Sequence, residues 1–322
     1  MRHVLAFAAV GVLALAADAT AVLTPGRTIV APSAVSAVSV THRSVVYAVT
    51  ENPSRTRCAY LELWDTTTKG LWRFGQSTTR VCREGPSTGS GIAAVSTSGR
   101  RVYWLTFVGG NLREYALWTA TPSRRSPRRL AASSSDVDSG RQPIVLADGT
   151  RDGVAYAVGR TVTYVADSGA RLFRARLDGD VRLLATGAGP GSARVVAVLD
   201  DGRIVTLSDR GRVLATAPYA QGEVGAVRLA LPGPIVQAGL RVEVGGRTLS
   251  LPPRAHLLDF RQGRVVYATG GQVRSRQVAT GADVLLQTIP VRSWQRPLFS
   301  TDAWGSGWAR GRTVSWRSGP LG

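Results

Sequence analysis

The sequence is poor in lysine, histidine and cysteine. Of its 40 basic residues only Lys69 is a lysine, and the chain holds three histidines and two cysteines. One histidine, His3, lies in the leader described below, which leaves His42 and His256. Two histidines cannot build a centre with several histidine ligands. We therefore expect no metal site and no cofactor.

Helical periodicity is missing as well. No stretch after the leader keeps apolar residues at positions i, i+3, i+4 and i+7 for a dozen residues. The 36 glycines and 16 prolines are spread along the whole length, where they mark frequent turns. Short runs such as "RLFRARLDG" alternate instead with the period of two that is typical of strands. The sequence predicts an all-β fold.

The N-terminus has the layout of a secretory signal peptide. Arg2 is followed by an uncharged apolar stretch of 14 residues from Val4 to Ala17, and then by the small residues Ala19 and Ala21. The stretch is shorter than the ~20 apolar residues that span a bilayer. We predict a signal peptide at 1–21 and one secreted domain at 22–322, with no transmembrane segment after cleavage.

Acidic residues are too few to balance the basic ones. The chain has 21 acidic residues against 40 basic ones, a net charge of +19. Loss of residues 1–21 removes one charge of each sign, Arg2 and Asp18, and leaves this value unchanged. Such a charge favours anionic polymers or surfaces, although it can also be dispersed over a solvated surface with no ligand. Because an exported protein does not meet the chromosome, we expect an anionic cell-surface polymer or another envelope protein as partner.

The two cysteines are Cys58 and Cys82. An even count in an exported chain predicts a disulfide, here closing a loop of roughly 25 residues. No histidine cluster accompanies them, so we interpret the pair as structural.

A repeat runs through the body of the chain. Four segments open on a β-branched and aromatic run that contains Tyr47, Tyr103, Tyr156 or Tyr267. Each continues with a polar turn, an alternating strand, a second turn and a short apolar strand, and another apolar strand precedes each segment. Four short strands per repeat at a period near 45 residues indicate the blades of a β-propeller.

The blade count follows from the repeat boundaries. We predict units at 35–75, 91–130, 143–186, 192–218, 223–251 and 255–288, followed by a partial unit at 297–318. The stretch "GRTIVAP" at 26–32 can pair with the partial unit and close the ring, which removes the exposed sheet edges. Seven four-stranded antiparallel blades are predicted, with six as the alternative, and the propeller is expected to be a monomer.

The strand pattern "VVYA…L-x-D-x-x-T-G" resembles that of exported TolB-like and WD-repeat-like propellers. The stretches "LELWDTTTKG" and "SRQVATGAD" carry the resemblance, which covers nearly all of the chain after the leader. The Gly-His dipeptide of WD repeats does not occur, which disfavours that narrower family. The resemblance implies a platform for binding and carries over no chemistry.

One stretch, "LELWDTTTKGLWRFG" at 61–75, also resembles the docking repeat of quinoprotein propellers. Its Lys69 and Gly70 stand in exchanged order, and no other blade repeats the motif. We therefore interpret it as a hairpin between the third and fourth strands of the first blade, with Trp64 and Trp72 packed beside it.

The candidate binding residues are four arginines in "TPSRRSPRRLA", a stretch that we interpret as a single prolyl turn: Arg124, Arg125, Arg128 and Arg129. Guanidinium groups bind carboxylate, phosphate or sulfate through two parallel hydrogen bonds. The four could grip an acidic polymer, or they could belong to a solvated loop.

Two functions remain open. The favoured one is an exported non-catalytic propeller that binds or scaffolds at the cell envelope or outside the cell. The alternative is a propeller enzyme that acts on glycans with carboxylates at its central channel, drawn from scattered acids: Glu62, Glu114, Glu223 and Glu243. We name no catalytic residue, and we interpret "DVDSG", with Asp136 and Asp138, as a loop rather than a calcium site.

Overall fold

A computed structural model describes residues 26–50, 58–74, 81–82, 89–187, 193–219, 222–230, 233–288, 298–302 and 305–319. These residues form 29 strands in seven antiparallel sheets, and their only helical element is a single 3-10 turn, Val137–Ser139. The sheets are the blades of a propeller, as the repeat predicted. The leader at 1–21 lies outside the described residues.

The N-terminal strand and the first blade come first along the chain. Strand β1 (Arg27–Val30) is followed by the four strands of blade 1, and the short β6 (Val81–Cys82) pairs with the third of them. Blade 1 consists of β2 (Val35–Thr41), β3 (Ser44–Thr50), β4 (Cys58–Asp65) and β5 (Leu71–Phe74).

Blades 2 to 4 each contain four strands in sequential order. Blade 2 consists of β7 (Gly89–Ser98), β8 (Arg101–Gly109), β9 (Leu112–Thr121) and β10 (Arg124–Asp136). Blade 3 consists of β11 (Ile144–Leu146), β12 (Gly153–Val158), β13 (Thr161–Ala166) and β14 (Arg171–Arg176). Blade 4 consists of β15 (Val181–Thr186), β16 (Ala193–Leu199), β17 (Ile204–Ser208) and β18 (Val213–Ala217).

Blades 5 to 7 complete the ring. Blade 5 consists of β19 (Val224–Ala230), β20 (Gly233–Ala238), β21 (Arg241–Val244) and β22 (Arg247–Ser250). Blade 6 consists of β23 (His256–Arg261), β24 (Arg264–Thr269), β25 (Gln272–Gln277) and β26 (Asp283–Thr288). Blade 7 consists of β27 (Phe299–Asp302), β28 (Gly305–Arg310) and β29 (Thr313–Ser318).

The ring closes as the sequence predicted. Strand β1 pairs antiparallel with β29, with Arg27 opposite Trp316 and Val30 opposite Thr313, so it supplies the outermost strand of blade 7. Beyond the strand, the amide of Ala31 donates to the carbonyl oxygen of Arg312 over 2.8 Å. The two ends of the described chain therefore share one sheet, the last blade, and this closes the ring.

The hydrophobic core lies between the blades. Each of the seven blade-to-blade interfaces buries one cluster of apolar side chains. The tyrosines that mark the sequence repeat all lie on second strands and are buried in these interfaces: Tyr47, Tyr103, Tyr156 and Tyr267. First strands contact first strands of neighbouring blades, which places them around the centre of the ring.

Two predicted boundaries were wrong. The run "VRLLAT" at 181–186 was placed at the end of the third unit, but it is β15, the first strand of blade 4. Blade 3 already has four strands when β11 is counted, so the next apolar run has to start another blade. The second unit was predicted to end at 130, whereas its outer strand β10 continues to Asp136.

Candidate anion-binding groove

The four candidate arginines lie at the start of β10 rather than in a turn. The chain turns at Thr121 to Ser123, where the hydroxyl of Thr121 accepts a hydrogen bond from the amide of Arg124 over 3.2 Å. The backbone then pairs with β9, so that Arg124 lies opposite Thr121 and Arg128 opposite Thr119. The predicted prolyl turn was wrong because β9 is long enough to pair with this segment.

An irregularity in β10 determines where its side chains point. From Arg124 to Arg128 the chain of β10 advances four residues while its partner β9 advances two, and Pro127 lies within this bulged stretch. A bulge is a position where a strand tolerates proline, since its missing amide removes no ladder hydrogen bond. Arg124, Arg128 and Arg129 are exposed on this outermost strand. The side chain of Arg125 lies outside the described residues.

Arginines of blade 2 hold the neighbouring turn of blade 3. Arg101 donates its Nε to the carbonyl oxygen of Asp167 over 3.0 Å and a terminal nitrogen to that of Ser168 over 2.8 Å. Arg128 donates to the carbonyl oxygen of Gly169 over 3.4 Å. Gly169 has a φ of +86°, a backbone conformation that favours glycine. A Cβ there would lie 2.5 Å from the guanidinium carbon of Arg101 and would push this group away from the turn.

Three cavities with shared walls run along this junction and form one groove. The first, of about 140 Å³, lies beside Arg101, Arg124 and Arg128. The second, of about 310 Å³, shares Arg128 with the first and also contacts Arg129 and Arg171. The third, of about 320 Å³, shares Arg171 and Leu130 with the second. Hereafter "the groove" means this cleft between β10 of blade 2 and strands β12 to β14 of blade 3.

The groove is positively charged and lacks compensating acids. No carboxylate lines any of its three cavities. Within the described part of the chain, none of its arginines forms an ion pair: Arg101, Arg124, Arg128, Arg129, Arg171 and Arg174. Elsewhere arginines meet carboxylates, as Arg203 does with Asp178 and Asp201. Guanidinium groups without an ion pair along one cleft make it the candidate anion-binding site.

Blade 3 contributes two groove residues that the sequence analysis did not find. Arg171 and Arg174 are exposed and line the third cavity together. The strict alternation predicted for this strand placed them on opposite faces. A register shift in β14 skips Leu172, because Phe173 lies opposite Tyr164 and Arg171 opposite Val165. The available signal was composition, since "RLFRAR" holds three arginines within one strand.

The stretch "LELWDTTTKGLWRFG" forms the predicted hairpin between β4 and β5. The carboxylate of Asp65 accepts hydrogen bonds from the amides of Thr67 and Thr68, and its other oxygen pairs with Arg100 at 2.8 Å. Burial opposes ionisation, but these bonds hold the pKa of Asp65 below its ordinary value. The carboxylate of Asp65 therefore stabilises the turn of this hairpin.

The acids considered for catalysis do not converge. Glu62, Glu114 and Glu243 lie on the third strands of blades 1, 2 and 5, away from the centre of the ring. Glu223 precedes the first strand of blade 5 and pairs with Arg182.

Two other acids lie at or next to first strands, and each is paired with an arginine. Arg228 of β19 reaches across to Asp148, which follows β11, over 3.3 Å, and Asp259 of β23 contacts Arg261. Each of these two acids therefore has an arginine partner, and neither contacts a second carboxylate among the described contacts.

One serine motif falls partly outside the described residues. Gly85 to Gly89 reads G-x-S-x-G, the spacing of a hydrolase nucleophile elbow. Such an elbow joins a strand to a helix, whereas Gly89 begins β7 of an all-β blade. Residues 83–88 themselves are not described.

The structure offers no metal-binding cluster within its described residues. Asp136 is the last residue of β10 and caps the 3-10 turn Val137–Ser139 by accepting from the amide of Asp138, so its carboxylate stabilises this turn. No group of three His, Cys, Asp or Glu side chains comes together in the described ranges. In the same ranges we find no helix with the length and apolar character of a membrane span.

The two cysteines lie on paired strands. Cys58 of β4 is directly opposite Cys82 of β6 in antiparallel register. Opposite residues in such a pair have Cα atoms about 4.5 to 5.5 Å apart, within the span that a disulfide bridges. Their side chains lie outside the described residues, so the bridge stays a prediction.

Neither a protein family nor a curated protein matches this sequence. The fold, in contrast, is shared with solved structures. The chain is similar to one in the crystal structure of a mitotic checkpoint complex, with a TM-score of 0.58 and 13% identity over 98% of both chains.

Two further structures agree. The β-propeller domain of Myceliophteria thermophila Cps50 (Swd1) has a TM-score of 0.50 and 15% identity, over 92% of this chain and 100% of that one. The WD40 domain of Neurospora crassa Pan2 has a TM-score of 0.51 and 9% identity, over 93% and 96%. Trp64 and Asp65 also supply a Trp-Asp dipeptide, half of the WD-repeat signature, at the end of β4. The chain therefore has the seven-bladed β-propeller fold of WD40 domains.

Proposed function

We propose that this protein is an exported, non-catalytic binding module of the cell envelope or the extracellular space, and that it holds an anionic partner in the groove. The observation that carries the proposal is the set of groove arginines without an ion pair in the described chain. Arginines on two blades face one cleft, which a solvated loop would not produce. The partner is an anionic cell-surface polymer or an acidic envelope protein.

Export is supported by the sequence of the first 21 residues. Expression of the full chain in a bacterial host should release a mature protein whose N-terminal sequencing begins at Val22. An uncleaved chain that stays inside the cell would contradict this part of the proposal. We also expect a monomer by light scattering, because the charge of +19 makes copies repel each other.

Binding in the groove is tested by replacing four arginines with serine: Arg124, Arg125, Arg128 and Arg129. The matched control replaces four arginines of blades 4, 5 and 7 that are exposed and form no ion pair in the described chain: Arg210, Arg212, Arg247 and Arg310. Both variants lose four positive charges. We expect the groove variant to lose affinity for polygalacturonate at least about tenfold more than the control, measured by fluorescence anisotropy. Equal losses of affinity in the two variants would mean that binding depends on the total positive charge and not on the groove.

The positions of the acidic side chains argue against the alternative of an enzyme that hydrolyses glycans. The acids at the first strands, Asp148 and Asp259, are each held by an arginine, and neither has a second carboxylate as a partner among the described contacts. A pair of carboxylates at the spacing of a glycosidase would be needed.

A further inference from the structure

The groove combines charged rims with an apolar floor. Leu130 and Ala131 of β10 and Val158 of β12 are partly exposed on the floor, beside the buried ring of Tyr156. These side chains extend the apolar cluster between blades 2 and 3 outward to the surface. An anion held only by guanidinium groups would leave this apolar surface exposed to water. A ligand with apolar groups would bury it, which adds favourable free energy to binding.

We propose that the ligand of the groove is an extended acidic peptide segment of a partner protein, with alternating carboxylate and apolar side chains. This inference rests on the proposed function and names the partner class. In an extended chain, side chains alternate between two faces. One face then meets the floor at Leu130 and Val158, and the other places carboxylates against Arg128, Arg129 and Arg171.

The dimensions fit a short segment. The part of β10 that lines the groove runs from Arg124 to Ala132, with two register irregularities that shorten it. At a rise of about 3.3 Å per residue, its regular positions span roughly 20 Å, the length of about six extended residues. A carbohydrate or polyphosphate chain would contact the rims alone and leave the floor uncovered.

The experiment uses two labelled peptides of equal charge, (Glu-Val)4 and (Glu-Ser)4, with polyphosphate as a polymer that carries no apolar groups. Fluorescence anisotropy measures all three against the mature protein. We expect (Glu-Val)4 to bind about tenfold or more tightly than (Glu-Ser)4, because one buried valine-sized side chain accounts for roughly that factor. Peptide binding should also fall below pH ~4, where glutamate is protonated, while polyphosphate binding persists.

A substitution that fills the third cavity tests the apolar floor while it leaves the arginines of the rims in place. Ala132 is exposed and lines the third cavity, so Ala132→Trp fills it without removing an arginine. We expect this variant to bring (Glu-Val)4 to within about twofold of (Glu-Ser)4 and to leave polyphosphate binding unchanged. Ala217→Trp, at an exposed position of β18 in blade 4, is the matched control and should change neither.

The outcomes distinguish this inference from the proposed function. Equal affinity for the two peptides, or no effect of Ala132→Trp on their ratio, would overturn the peptide assignment and leave an anion site that serves polymers. If Arg128→Ser with Arg129→Ser weakened no probe more than Arg212→Ser with Arg247→Ser, both proposals would fail.

Discussion

At the scale of single residues, buried tyrosines and carboxylates carry the polar chemistry inside the blades. The hydroxyl of Tyr47 donates to Glu62 over 2.8 Å, and Glu62 accepts two hydrogen bonds from Arg73 over 3.0 and 2.8 Å. Burial first, and the charge of Glu62 second, raise the pKa of Tyr47 above its ordinary value. The raised pKa favours the protonated phenol, which is the form that donates to Glu62.

Loss of this hydroxyl should be costly. We expect Tyr47→Phe to lower the free energy of unfolding by about 2 kcal/mol, because a buried carboxylate loses a hydrogen-bond donor. Tyr156→Phe is the matched control, since Tyr156 is also a buried second-strand tyrosine but its hydroxyl forms no hydrogen bond in the described chain. Urea unfolding of both variants measures the difference. Equal losses would show that the Tyr47–Glu62 contact does not stabilise the fold.

A related group in blade 6 predicts a pH dependence. Asp283 accepts from Tyr267 and pairs with Arg274 at 3.0 Å and Arg276 at 2.9 Å. Burial opposes ionisation, but these partners hold the pKa of Asp283 below its ordinary value, and burial together with Asp283 raises the pKa of Tyr267 to about 12. A lowered folded-state pKa stabilises the protein above the unfolded value of ~3.9, and this stability is lost as the pH falls.

We expect Asp283→Asn to be less stable than the wild type by about 1 kcal/mol at pH 7, with the difference shrinking below pH ~4. Thermal unfolding from pH 3 to 8 measures the gap. A gap that stays constant over this range would show that the ionised carboxylate does not contribute. Asp178→Asn, which changes a more exposed carboxylate paired with Arg203, should have a smaller effect at every pH.

At the scale of secondary-structure elements, β6 is a two-residue strand that pairs with β4 and brings Cys58 opposite Cys82. The segment between β5 and β6 lies outside the described residues. A covalent bond at this point would fix a strand that has too few backbone hydrogen bonds to be stable alone.

We therefore expect the Cys58–Cys82 bridge in the exported protein. Mass spectrometry of unreduced peptides should find the two linked, and Cys58→Ser with Cys82→Ser should lower stability by about 3.5 kcal/mol on the loop-entropy estimate. Reduction of the wild type should lower its stability by a similar amount. Free thiols on both residues in protein recovered from outside the cell would rule the bridge out.

The repeat explains why most elements could be predicted from sequence. Second strands are buried on both faces, so they keep the V-x-Y run that marks Tyr47, Tyr156 and Tyr267. Outer strands are exposed and keep no such pattern. For that reason the end of β10 and the shift in β14 at Leu172 were not predictable, because backbone bulges leave no apolar periodicity to read.

Only one wall of the groove could be predicted from the sequence. The arginines of β10 stand together in sequence and were found as a cluster, whereas Arg171 and Arg174 are more than 40 positions away and meet them only through the packing of blades 2 and 3. Proximity across a propeller interface depends on the register and twist of both blades. A single sequence carries no local signal for it.

At the scale of the whole molecule, closure of the ring by β1 and the seven interface clusters make one rigid body from short strands. Such a scaffold holds surface side chains of neighbouring blades in fixed relation. The groove uses this property, since Arg101 and Arg128 of blade 2 bind the main chain of the β13–β14 turn and set the distance between its two walls. The walls of the groove therefore come from two blades and not from one.

The central claim is that anions bind in the groove and not over the whole basic surface. Arginine-specific modification by phenylglyoxal, followed by mass spectrometry, measures the protection of each arginine when the mature protein is saturated with polygalacturonate. We predict protection of the groove set, Arg124, Arg128, Arg129, Arg171 and Arg174, with Arg212 and Arg247 modified as fast as in the free protein. Uniform protection of all exposed arginines, or none in the groove, would contradict the claim.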